Sequence, residues 1–188
     1  MNKWIIGLAL FMLCSCKNEE QTAEDESSFF PIKSYIQSQV AHIDTSIYNI
    51  RKITTINNQS DTTFIKREEF RALAKDFLDI PDISQRKWRD DYNETKIFDE
   101  TLNSAILTYT PKDLEDAEIR RQEVIIHPDA AEGEQVKTIF IEQSIEKGTS
   151  TIQKKMLWQV DKWFRIVTIT QKLNEPEKVE TLQVIWAL

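Results

Sequence analysis

Residues 136–187 read VKTIFIEQSIEKGTSTIQKKMLWQVDKWFRIVTITQKLNEPEKVETLQVIWA. Runs rich in β-branched and aromatic residues alternate here with short polar breaks. That pattern predicts strands over Val136–Ile145, Thr149–Val160, Trp163–Leu173 and Lys178–Ala187. The breaks decide how the runs can pair. Lys147-Gly148 and Asp161-Lys162 read as two-residue turns, and Asn174-Glu175-Pro176-Glu177 as a four-residue one. With those turns Ile141 lies opposite Lys154, and Met156 lies opposite Ile139 and Val167. Trp158 then faces Lys137 and Arg165, Val167 faces Val184, and Ile169 faces Leu182. One side collects Ile139, Ile141, Ile152, Met156, Trp158, Val160, Trp163, Val167, Ile169, Leu182, Val184 and Trp186. A slip of one residue would scatter that side, so the reading is an antiparallel meander with one strongly buried face.

The opposite face is mixed. Phe140, Leu157, Phe164, Ile166 and Ile185 stand among Lys155, Gln159, Thr168, Thr181 and Gln183. Two readings are open. A helix or an N-terminal hairpin covers the patch, or the patch remains as an apolar surface or pocket for a ligand or partner. Those five residues are the candidates for such a face.

Further upstream, Ala105, Leu107 and Tyr109 alternate before Pro111, and Ile119–His127 forms another strand closed by Pro128. Residues 83–101 show no period: Trp88, Tyr92 and Phe98 suit a helix or a loop. Lys66–Leu78 is the clearest helix, with Phe70, Leu73, Ala74, Phe77 and Leu78 on one stripe, ended by Pro81. Ser46–Ile56 reads as a strand, Asn57–Asp61 as turn chemistry, and Thr62–Ile65 as the returning strand of a hairpin. Phe29–Ile43 carries Ile32, Tyr35, Ile36, Gln39, Val40 and Ile43 at helical spacing, with Ser28 as N-cap and Pro31 in the first turn. Gln21–Ser28 (QTAEDESS) is acidic and polar and reads as a flexible tether.

Met1-Asn2-Lys3 is a short n-region with one positive side chain, and Trp4–Leu13 is an apolar run of ten residues. A helix of that length covers about 15 Å, roughly half a bilayer core, so it is too short to span one. It has the form of a secretory signal peptide. Leu13-Cys14-Ser15-Cys16 at its end resembles the lipobox of bacterial lipoproteins: Leu at −3, a small residue at −2, Ser at −1, then Cys. Cys14 departs from the commoner Ala, Ser or Thr. The resemblance implies cleavage after Ser15, acylation of Cys16 with palmitate-type chains, and a membrane anchor. One chain alone binds marginally, so firm anchoring requires more than one. Lys17, Glu19 and Glu20 resemble the signal that carries some lipoproteins of Bacteroidota to the outer face of the outer membrane. A periplasm-facing anchor in the same membrane is the other option.

Loss of fifteen residues from 188 leaves 173, which suits one domain over 29–188 behind a tether at 16–28. The formal net charge of the whole chain is −7, and there is no basic stripe, which argues against nucleic acid as a partner. Arg51-Lys52, Lys66-Arg67, Arg120-Arg121 and Lys154-Lys155 are dispersed. Cys14 leaves with the signal and Cys16 is the lipid site, so the globular part carries no disulfide, thiolate nucleophile or cysteine metal site. His42 and His127 each begin a His-x-Asp triplet; a shared zinc site would need the fold to join them, and no metal or other cofactor is expected. No Gly-x-Ser-x-Gly occurs, and the few glycines are too sparse for phosphate-cradling loops. Asp90, Asp91 and Glu94 near Trp88 and Tyr92 are the best cluster of acids and aromatics, read chiefly as solvated surface.

The expected fold is therefore α+β: a curved, mostly antiparallel sheet of six to eight strands with two or three helices. The order helix, hairpin, helix, meander resembles cone-shaped nuclear-transport-factor-like domains, and a half-barrel of the lipoprotein-carrier type is the alternative. Neither analogy assigns a function. The expected function is non-enzymatic: an envelope lipoprotein that binds a partner protein or ligand through its sheet face. A carrier or sensor of an apolar molecule or lipid, held between sheet and helices, is the alternative. A carboxylate-based hydrolase is the third reading.

Overall fold

The C-terminal runs do form a meander, and it continues upstream into one large sheet. In a computed structural model, which describes residues 29–115, 117–129 and 133–186, nine antiparallel strands form a sheet that does not close. The chain runs α1 (Ile32–Asp44), β1 (Ile50–Ile56), β2 (Gln59–Ile65), α2 (Arg67–Leu73), α3 (Lys75–Leu78) and α4 (Arg86–Arg89). The meander follows: β3 (Tyr92–Asp99), β4 (Ser104–Pro111), β5 (Ile119–Asp129), β6 (Gly133–Lys147), β7 (Ser150–Gln159), β8 (Trp163–Lys172) and β9 (Lys178–Ile185). Strand order is β2-β1-β9-β8-β7-β6-β5-β4-β3. The early hairpin thus extends the sheet by pairing β1 with β9.

An α+β organisation holds, with more strands and helices than expected. Residues 83–101 supply both extra elements, α4 and β3. Strand β3 is an edge, with Thr95, Lys96, Ile97 and Phe98 exposed. A strand that buries so little carries no apolar alternation to read.

Helices α1 to α3 contribute to one buried cluster with one face of the sheet. Ile32, Ile36, Val40 and Ile43 of α1 are buried, as the i, i+4 stripe requires. Pro31 occupies the N-cap position, where its missing N–H is no loss. The expected single helix over 66–78 divides at Ala74, whose own N–H still reaches Phe70 O while Phe77 N bonds back to Ala74 O. The stripe survives the break, because Phe70, Ala74 and Phe77 all remain fully buried. Lys66 N donates to Glu69 Oε1 at 3.1 Å and caps α2.

Five aromatic rings fill the space between helices and sheet. Phe70 lies edge-on to Trp158, Phe164 and Trp186, and Phe77 edge-on to Trp158 and Phe164, with centroids 5.2–6.3 Å apart. Trp158 and Phe164 stack at 5.3 Å and 15°. Such contacts add to the burial of apolar area itself, which is the main stabilising term.

The turns correct the expected register in three places. Between β6 and β7, Lys147 pairs with Ser150, so Gly148-Thr149 is the loop and Gly148 takes φ +59° at its first position. Pairs shift by two residues, Ile141 facing Met156, and every side chain keeps its face. Between β7 and β8, Gln159 pairs with Trp163 around the three-residue loop Val160-Asp161-Lys162, with Asp161 at φ +59°. That added residue reverses the facing of β8. Phe164 and Ile166 now lie opposite Trp158 and Met156 in the core, while Trp163, Val167 and Ile169 turn outward. Between β8 and β9, Thr170 pairs with Lys178, a shift of three from the expected pairing. The second odd shift undoes the first, so Val184 stays in the core as expected.

Candidate functional site

The outer face of the sheet is the surface that the described helices leave uncovered. Cross-strand partners share a face in an antiparallel sheet. One row across the sheet is therefore Ile97, Ile106, Ile125, Thr138, Gln159, Trp163, Ile185, Arg51 and Phe64. The adjacent row places Phe140, Leu157, Arg165, Gln183 and Ile53 side by side. Val167 and Ile169 continue the apolar surface along β8. On β5 to β9 none of the outward positions is buried, whereas Val124, Ile139, Trp158, Phe164 and Val184 on the inward side are each 0% exposed.

Of the five face candidates, Phe140, Leu157 and Ile185 stand on this outer surface, each half-buried. Phe164 and Ile166 do not: both are buried against the helices, and this corrects their assignment. The cause is the loop at Val160–Lys162. Trp163, Ile53, Ile106 and Ile125 belong to the face and were missed. Asp161 was the available signal, since Asp adopts the left-handed conformation that a three-residue hairpin loop places at one position.

Polar contacts hold the surface between its apolar side chains. Arg165 donates to Gln183 Oε1 at 3.1 Å and lies over the Trp163 ring, 5.5 Å from its centroid. Thr108 Oγ1 donates to Glu123 Oε1 at 3.2 Å, and Arg121 pairs with the same carboxylate. The face is broad: eight strand spacings extend about 38 Å. It is also shallow. A cavity among Gln153, Ile169 and Gln171 measures about 30 Å³, room for a water and no more.

The other sequence candidates fall elsewhere. Cys16, Lys17, Glu19 and Glu20 lie outside the described residues. His42 is exposed in the last turn of α1, on the helical side. His127 points from the opposite face, with Nδ1 3.3 Å from Ser104 Oγ. Trp88, Asp90, Asp91 and Tyr92 do come together, at a cleft beside the start of β3. Glu94 is separate: it pairs with Lys96 at 3.1 Å and raises the pKa of Tyr109, which burial raises more. No helix among the described residues is long and apolar enough to cross a membrane. No family model, curated protein or solved structure matches the chain.

Proposed function

We propose that the chain is a non-enzymatic envelope lipoprotein, anchored through acylated Cys16 in the outer membrane, that binds a partner protein on the outer face of its sheet. The observation that carries this reading is the uncovered face itself. Ile53, Leu157, Phe140, Trp163 and Ile185 form an apolar surface that no described element buries. These residues lie on five neighbouring strands, β1, β9, β8, β7 and β6, so the apolar surface is continuous across them. A small apolar ligand would need a concave site. The space between helices and sheet, where a carrier would hold its cargo, is occupied by Phe70, Phe77, Trp158, Phe164 and Trp186. The carboxylates at the cleft are exposed, which does not favour the buried acid–base pair of a hydrolase.

Two measurements test the anchor and the face separately. Cys16→Ser is expected to abolish metabolic palmitate labelling and release the protein from the membrane fraction; retained label removes the anchor. A photo-crosslinking residue at Leu157 is expected to trap a discrete adduct in intact cells, while one at Gln37, exposed on α1, is not. Equal adducts from both positions, or none from Leu157, remove the face.

A further inference from the structure

Beside the start of β3, away from the outer face, the chain forms a cleft of about 440 Å³. Its apolar lining is Trp88, Tyr92, Ala117 and two prolines, Pro81 and Pro111. Four acidic residues also line it, Asp90, Asp91, Asp113 and Glu118, all exposed. Lys112 also lines it, but its Nζ donates to Asp90 O at 2.6 Å and its backbone N to Asp91 O at 2.8 Å. These two bonds tie Asp90-Asp91 to the end of β4 and hold the acidic wall in place.

Volume and spacing narrow the ligand. The cleft lies within the range of pockets for small organic molecules, roughly 300–1,000 Å³. Among the described residues no three of His, Cys, Asp or Glu converge closely enough to hold a metal ion. The carboxylates therefore surround a space rather than a point. An anionic wall attracts positive charge, and an aromatic ring beside it accepts an ammonium that is weakly hydrated. Trp88 already does this within the molecule, because Lys87 Nζ lies 5.1 Å from its ring centroid. Burial first, then the charges of Asp91 and Glu118, push the pKa of Tyr92 up to about 12, with the Ile119 hydrogen bond and Arg120 acting the other way.

We propose that this cleft binds an organic cation, a protonated or quaternary ammonium on an apolar body, with its charge between the carboxylates and Trp88. The site is independent of the sheet face and of the lipid anchor. Anionic ligands are excluded by the same carboxylates.

The test titrates the full-length chain in non-ionic detergent with choline and with dimethylbutanol, its neutral carbon isostere, by calorimetry. Choline is expected to bind saturably and the isostere not at all. Benzyltrimethylammonium, with its larger apolar body, is expected to bind more tightly than choline. Trp88→Ala, and separately Asp90→Asn with Asp91→Asn, are each expected to weaken choline by about tenfold. All three positions are exposed, and Asp113→Asn with Glu118→Gln gives the same charge loss if the first pair alters folding. Equal binding of choline and its isostere, or no binding of either, overturns the proposal. So does an affinity untouched by every variant, or calcium displacing choline while Trp88→Ala changes nothing.

Discussion

Tyr92 and Tyr109 each commit a buried phenol to the backbone. Tyr92 Oη donates to Ile119 O at 3.1 Å, and Tyr109 Oη accepts from Phe30 N at 2.9 Å. Burial raises both pKa values, that of Tyr92 to about 12. A phenol whose folded pKa lies above its unfolded one stabilises the fold fully below the unfolded pKa of about 10. That contribution is lost as pH rises through the folded pKa. Urea midpoints measured from pH 8 to 12 are therefore expected to fall above about pH 10. Tyr92→Phe should start lower by about 1 kcal/mol and fall less steeply, having no proton to lose there. An alkaline slope identical to that of the parent chain would refute this. Trp158 illustrates the opposite case. Its indole Nε1 is buried and has no partner among the described residues. A buried unmet donor costs about 1–3 kcal/mol. The aromatic packing around Trp158 offsets that cost, with Phe70 and Phe77 set at 80° and 82° to its ring.

At the scale of elements, the three-residue loop Val160–Lys162 decides which half of β8 is core. Phe164→Ala should therefore lower unfolding free energy by about 3–5 kcal/mol, the range for a buried aromatic. Phe140→Ala, on the outer face of β6, should cost well under half of that. Chemical denaturation of the two variants checks the facing of β8, and equal losses would contradict it. The strands themselves were legible, because β-branched and aromatic runs need no tertiary information to be recognised. Their faces were legible only where turn length was. Asn57-Asn58, at φ 50° and 63°, makes the two-residue loop of the β1–β2 hairpin, narrower than the five-residue turn expected. Asp161 and Gly148 also mark loops by positive φ. A composition of Asp, Asn and Gly announces a turn without stating how many residues it holds, and one residue is enough to invert a strand. Three of the five face candidates therefore stand on the outer surface and two do not.

At the scale of the whole molecule, β9 is the strand that joins the two parts of the sheet. It pairs with β8 on one side and β1 on the other. It also brings Val184 into the core, and Trp186 follows just beyond its end. Removing residues 178–188 should therefore abolish cooperative unfolding rather than fray one end, as read by thermal melting followed through near-ultraviolet circular dichroism. A truncated chain that melted as sharply as the parent would show that the hairpin needs no neighbour. This link was not legible in sequence. Residues 50–56 and 178–185 lie at opposite ends of the chain, and nothing in either strand names the other.

Local chemistry alone announced most of the strands, the helical stripes of α1 and α2 to α3, the absence of cysteine from the domain, and the expectation of an anchor at Cys16. Each depends on composition or spacing within a few residues. Only the tertiary structure decided that the hairpin docks on β9, that Phe164 and Ile166 are core, and that no described helix covers the outer face of the nine strands. It also gathered Trp88, Asp90 and Asp91 with Asp113 and Glu118 around one cleft. Those outcomes depend on pairing between distant segments and on the parity of loops, where a free-energy difference of many buried side chains selects one arrangement over its mirror.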